Sequence, residues 1–120
     1  MKTKFFLLTA LIAMFFLVSC KKDSPNPQIT FTNNLAQGTA NSNGEFTITG
    51  HISSAVRLDK VVLTKEGQAA SFLVDESTAK NKNEYDFSYL VTGITANTYI
   101  ILEAIDLEGG KIMQRFLITK

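Results

Sequence analysis

The residues beyond position 28 predict an all-β domain, a two-sheet antiparallel sandwich of about seven strands, and three observations carry that expectation. Apolar and polar residues alternate at period two in one run after another, turn-forming residues divide the runs, and no stretch sustains the 3.6-residue period of an amphipathic helix. Short strands with one apolar face each need a second layer to cover them, which points to two packed sheets.

Ile29-Thr30-Phe31-Thr32-Asn33 opens the series with the alternation of a half-buried strand. From Glu45 to Ile52, residues Phe46, Ile48 and Ile52 share one face while Thr47, Thr49 and His51 take the other. Gly50 interrupts that apolar face and marks a bulge or a close approach of another backbone. Leu58 to Lys65 sets Val61 and Leu63 against Lys60, Val62 and Thr64, and Glu66-Gly67-Gln68 supplies the next turn. Ala69 to Asp75 reads as a short fourth strand, followed by the loop composition of Glu76 to Asn83. Glu84 to Thr92 alternates most clearly, with Tyr85, Phe87, Tyr89 and Val91 on one face. Thr98 to Asp106 is almost continuously apolar, as a central strand is. Turning Ile100, Leu102 and Ala104 inward leaves Tyr99 and Glu103 outside and avoids burying a lone carboxylate. Glu108-Gly109-Gly110 then turns the chain into a last strand, Lys111 to Thr119. The expected core contains Phe46, Ile48, Val61, Leu63, Phe87, Tyr89, Ile100, Leu102 and Phe116.

The N-terminus has a different character. Met1-Lys2-Thr3-Lys4 is basic, and Phe5 to Val18 is a 14-residue apolar run whose only polar member is Thr9. A membrane-spanning helix needs about 20 such residues. The run ends in Leu17-Val18-Ser19-Cys20, which resembles a bacterial lipobox. The resemblance implies cleavage between Ser19 and Cys20 and lipidation of the Cys20 thiol, with two or three fatty chains giving stable attachment where one would be marginal. An uncleaved N-terminal anchor, or a secretory signal with an incidental cysteine, would use the same run. Cys20 is the only cysteine of the chain, so an internal disulfide is excluded, and acylation gives a lone thiol in an oxidising compartment a purpose.

Lys21 to Gln28 has no apolar residue other than Pro25 and Pro27 and reads as a solvated tether of at most about 26 Å. Lys21-Lys22-Asp23 directly after the cysteine resembles lipoproteins of the Bacteroidota, in which such charged signals can route a protein to the outer surface; a solubilising linker would have the same composition. The expected organisation is therefore 1–19 signal peptide, 20–28 acylated cysteine and tether, and 29–120 the sandwich domain. The resemblance places the protein in the cell envelope, lipid-anchored at the outer membrane.

Taking Lys2 and Lys4 from the 12 basic residues leaves 10 against 11 acidic ones, scattered rather than clustered, which argues against a nucleic-acid partner. Phe46 to Ile52, Lys60 to Leu63 ending in Gly67, and Ala104 to Gly109 look like segments of bacterial immunoglobulin-like and fibronectin type III-like domains. The match spans roughly Ile29 to Thr119 and implies architecture more than function. The same comparison puts Ile100 where related folds often carry a corner tyrosine.

Chemistry is sparse. His51 is the one histidine, on the polar face of its strand, and a zinc site or a Ser-His-Asp nucleophile would need partners that no local spacing supplies. No glycine-rich segment leads from a strand into a helix to cradle phosphate, so no cofactor is expected. Asp106 and Glu108 set two carboxylates on a turn, where calcium finds hard ligands and where turns favour Asp and Gly in any case. Tyr85, Phe87 and Tyr89 would form a sugar-stacking platform if exposed, though period-two aromatics usually belong to the core. The expectation is a non-enzymatic binding or adhesion module for a glycan, peptide or protein, presenting loops around Gln37 to Asn43 and Asp75 to Asn83. The alternative is an accessory subunit of an outer-membrane assembly.

Overall fold

The computed structural model describes residues 26–120. The expected signal segment, the expected lipobox with Ser19 and Cys20, and the first part of the expected tether lie outside the described residues. Eight strands follow in order: β1 (Gln28–Phe31), β2 (Gln37–Thr39), β3 (Phe46–Ser53), β4 (Leu58–Lys65), β5 (Leu73–Asp75), β6 (Glu84–Val91), β7 (Thr98–Asp106) and β8 (Lys111–Thr119). They form the expected two-sheet sandwich, with order β1-β3-β6 in one sheet and β2-β8-β7-β4-β5 in the other.

The alternation read from the chain sets which faces meet. Ile48, Ile52, Leu58, Val61, Leu63, Val91, Ile100, Leu102, Ala104 and Ile118 are fully buried, and Phe87, Tyr89 and Phe116 are nearly so. Phe46 is the one expected core residue that is only partly buried, packed at the margin against Phe116 with ring centroids 5.5 Å apart. Phe31 makes edge contacts with Phe87 of its own sheet at 6.4 Å and with Phe116 of the opposite sheet at 5.1 Å, and Phe87 stacks on Tyr89 at 5.5 Å, so this aromatic layer links to the second sheet through Phe116. Such pairs contribute about 0.5–1.5 kcal/mol each beyond the area they bury. Gly50 marks a close approach: a Cβ there would meet the Thr30 carbonyl and lie 2.7 Å from the Phe87 ring.

The structure departs from the sequence reading in four places. The domain begins before residue 29, because Pro27 is fully buried and Gln28 pairs with Ser53 as the first residue of β1. The first strand stops at Phe31, and a single 3-10 turn over Thr32–Asn34 carries the chain from one sheet to the other, with Asn33 and Asn34 at φ 59° and 56°. Asparagine tolerates that left-handed conformation better than most residues. Next, the segment expected as a loop from Gln37 contains β2, whose pairing with β8 is parallel, Gln37 against Leu117 to Thr39 against Thr119, so the sandwich has eight strands and one parallel ladder. Three polar and small residues carry no period-two signal; a neighbour's free edge makes them a strand. Finally, the fourth expected strand contracts to Leu73–Asp75.

A bulge between Leu58 and Lys60 lets Leu58 and Val61 both point inward although three positions separate them. The segment after β5 is not a free loop. Ala79 is fully buried, the Asn81 N–H donates to the Leu58 carbonyl, the Leu58 N–H donates to the Lys82 carbonyl, and the Asn83 amide donates to the carbonyls of Ser54 and Ala55.

Candidate functional site

Three polar constellations and one apolar face stand out on this frame. The first joins residues from two sheets, which no local pattern in the sequence brings together. Asp75, at the end of β5, is 8% exposed, and its carboxylate faces across the opening between the sheets to β6. Oδ2 accepts from the Tyr89 hydroxyl at 2.8 Å, from the Thr78 hydroxyl at 2.5 Å and from the Tyr85 hydroxyl at 3.3 Å. Oδ1 accepts from the backbone N–H groups of Ser77 at 3.2 Å and Thr78 at 2.9 Å. Burial by itself would raise this carboxyl, but the hydrogen bonds from Thr78, Tyr89 and the two N–H groups outweigh it and hold Asp75 at about 2. Burial, and next the neighbouring carboxylate, push the Tyr89 phenol well above its usual value. The cluster is an inter-sheet clasp: its donors are satisfied, its phenol is kept neutral and its carboxylate ionised. Neither Asp75 nor Tyr89 is poised to give or take a proton near neutrality.

The second constellation lies on the outer face of the three-stranded sheet. His51 opposes Asp86 in the β3–β6 ladder, and Ser53 opposes Glu84. His51 Nδ1 is 2.7 Å from Asp86 Oδ1 and Nε2 is 2.8 Å from Glu84 Oε1, while the Ser53 hydroxyl donates to Glu84 Oε2 at 2.8 Å. Both ring nitrogens can donate only when the imidazole is protonated. The hydrogen bond to Glu84, then that to Asp86, accordingly raise His51 above 6.5, and the His51 contact lowers Glu84. Asp86 and Glu84 are the partners that the sequence could not place for the histidine, because 35 and 33 residues separate them. The serine hydroxyl faces a carboxylate rather than the imidazole, so the arrangement is not that of an activated nucleophile.

The third is the turn after β7. Asp106 is 4% exposed, and its Oδ1 accepts from the N–H groups of Glu108 and Gly110, each at 2.8 Å. The carboxylate considered for calcium thus closes its own turn, as Asp does in Asx turns. Glu108 is exposed beside it. Among the described residues no group of three or more His, Cys, Asp and Glu side chains converges to hold a metal ion.

Tyr85, Phe87 and Tyr89 point into the sandwich, Phe87 at 2% and Tyr89 at 6% exposure, so this strand offers no sugar-stacking platform. Shallow, open depressions of about 200 and 390 Å³ flank Phe46 and Thr47, at the point where the chain crosses between sheets. Leu35, Leu90 and Leu107 are exposed singly, and a larger grouping of apolar side chains lies on the outer face of the five-stranded sheet. Val74 pairs with Val62, Val62 with Glu103 and Glu103 with Met113, giving one row across four strands. The adjoining rows add Ile101 and Ile105, and Phe72 flanks them at 39% exposure; Val74 is 47% and Met113 56% exposed. Lys60 and Lys111 bracket Ile105 at one margin. At the other margin Arg115 grips Glu66 with two bonds of 2.8 and 3.0 Å and lies 3.8 Å over the Tyr99 ring.

No protein-family model matches the chain, and no curated protein matches it. Among solved structures it is similar to the fibronectin(III)-like modules of Clostridium thermocellum CbhA, at 19% sequence identity and a TM-score of 0.53. That likeness covers 78% of this chain and 46% of that one, so the chain spans about half the length of the structure it matches. At this identity the likeness speaks for the fold alone. The described domain is an immunoglobulin-like, fibronectin III-like β-sandwich.

Proposed function

We propose that this protein is an envelope lipoprotein, anchored at the outer membrane through lipid on Cys20, whose sandwich binds another envelope protein and performs no chemistry. The anchor rests on the sequence alone: a basic start, an apolar run too short to favour a span, and Leu17-Val18-Ser19-Cys20 at its end. The binding role rests on one observation, the row of Val74, Val62, Glu103 and Met113 on the outer sheet face, with half-buried Ile101 and Ile105 beside it. A sheet face that is largely apolar, with charges set among and around the apolar side chains, is what a protein partner covers. Lys60 at the margin, and the Lys111–Glu103 pair at 4.0 Å, suit a partner surface with polar groups around an apolar centre. With the β6 aromatics turned inward, a glycan has lost the platform the sequence offered it.

Two measurements test this reading. Mass spectrometry of the mature amino terminus should find Cys20 as the first residue, carrying acyl chains; an unmodified chain retaining residues 1–19 would refute the lipid anchor and favour an uncleaved one. A photo-crosslinking residue at Val62 or Met113, in cells that make the protein natively, should give one adduct of defined mass. Excess soluble domain should compete it away, and Val62→Glu should abolish it. The same label at Thr47 should give none. Equal labelling from all three positions would remove the outer face as the binding surface.

A further inference from the structure

We infer that the domain stands end-on against the bilayer, with the β7–β8 turn on the phospholipid headgroups and Leu107 inserted among them. The point where the chain leaves the domain carries this. The Asn26 side chain lies against the β7–β8 turn, since a Cβ at Gly110 would come within 3.2 Å of its Oδ1; Pro27 is buried and Gln28 pairs with Ser53 at the end of β3. From Cys20 to Asn26 is a span of six residues, at most about 20 Å when fully extended. Strands of eight and nine residues carry the opposite end of the sandwich about 30 Å further away. There the β2–β3 turn and the β6–β7 connection meet, with the Ile94 N–H donating to the Gly44 carbonyl. Attachment through the N-terminal segment therefore holds the β7–β8 end nearest the membrane.

That end has the chemistry of an interfacial contact. Leu107 is 48% exposed at the tip of a tight turn, and its N–H donates to the Arg57 carbonyl at 2.8 Å, which sets the backbone of the exposed Arg57 beside it. A leucine at the headgroup boundary with a guanidinium at phosphate depth is a pairing that lipid interfaces favour. Lys82 is exposed on the connection hydrogen-bonded to Leu58, and Lys80 there is held by Asp59 at 3.0 Å. Glu108 adds a carboxylate next to Leu107, so the surface fits zwitterionic headgroups rather than a strongly anionic layer. The inference rests on the N-terminal attachment proposed above and holds for an acylated cysteine or an uncleaved anchor alike. It leaves the apolar outer face standing off the bilayer and open to a partner.

The chain has no tryptophan, so single substitutions give clean reporters. Full-length protein carrying Leu107→Trp, Arg57→Trp, Ser42→Trp or Met113→Trp is reconstituted in phosphatidylcholine vesicles, and emission is compared with and without brominated acyl chains. The reporters at 107 and 57 should lose emission by about twofold or more, the depth of an interfacial residue, while those at 42 and 113 should be unaffected. Equal quenching at 42 and 107, or none at 107 and 57, overturns the inference. Quenching at 113 above that at 107 would also overturn it, because the domain would then lie on its outer face. If the protein fails to float with vesicles, the anchoring reading has failed on its own. Residues 20–120 are then coupled through Cys20 to a maleimide lipid, and the same reporters are read on that tether.

Discussion

Two ionisable clusters share strand β6, one on each face, and they differ in what their charges do. Outside, His51 is gripped by Glu84 and Asp86 at 2.8 and 2.7 Å with all three side chains well exposed. Inside, Asp75 collects the Tyr89, Tyr85 and Thr78 hydroxyls and two backbone N–H groups where water is largely excluded. Bond lengths alone would rank the two together. Burial separates them: an exposed pair exchanges protein contacts for water almost without gain, whereas a buried carboxylate deprived of donors, or donors deprived of their carboxylate, lose hydrogen bonds that nothing replaces. The inner cluster therefore belongs to the fold's stability, the outer one to the surface.

The largest expected effect tests the aromatic layer on which the inner cluster rests. Phe87→Ala should destabilise the domain by about 3–5 kcal/mol in urea unfolding, because it empties the centre of the contacts to Phe31 and Tyr89. A loss below about 1 kcal/mol would place that ring at the surface. Asp75→Ala should cost about 2–3 kcal/mol, since it strands the Tyr89 hydroxyl and two backbone donors. Its pH signature is distinct. Asp75 is depressed from 3.8 to about 2, so its contribution is complete above about pH 4 and disappears as pH falls towards 2, about 2 kcal/mol in all. Wild type should lose that increment between pH 4 and 2 relative to Asp75→Asn, and parallel curves would break the comparison.

Tyr89→Phe keeps the ring that stacks on Phe87 and removes one charge-assisted hydrogen bond, so about 1–2 kcal/mol should be lost and the Asp75 titration should move upward. The smallest effect belongs outside. His51 should titrate by NMR above 6.5, and Glu84→Gln should bring its midpoint back down, yet His51→Ala should leave the thermal midpoint nearly where it was. The sign follows from the raised value: whatever the cluster contributes is present below 6.5 and fades as pH rises through the folded-state midpoint. A large drop in stability for His51→Ala would erase the contrast between the two faces.

Single residues show how far the sequence could be read. The period-two runs located β3, β4, β6, β7 and β8 to within a residue or two, because a strand half in water must alternate whatever its neighbours are. Gly50 was legible as a close approach, since a glycine on an apolar face leaves room that some atom fills. β2 was not legible: Gln37-Gly38-Thr39 has no pattern of its own and becomes a strand only because β8 offers it an edge. The clasp left one local trace, Asp75 three residues before Thr78, a spacing that side-chain-to-backbone turns use. Its essential members, Tyr85 and Tyr89, come from a strand of the other sheet.

What the sequence determined by itself, then, is what depends on neighbours along the chain: the apolar N-terminal run that ends at the lone cysteine, the alternation that divides inside from outside, and the scarcity of chemically reactive groups. The partners of Asp75 and His51, the parallel strand, the largely apolar face spread over four strands and the placement of Asn26 beside Gly110 were decided only by the tertiary structure. Each joins residues tens of positions apart, and the register that brings them together is set by packing of the whole sandwich, which no local pattern encodes.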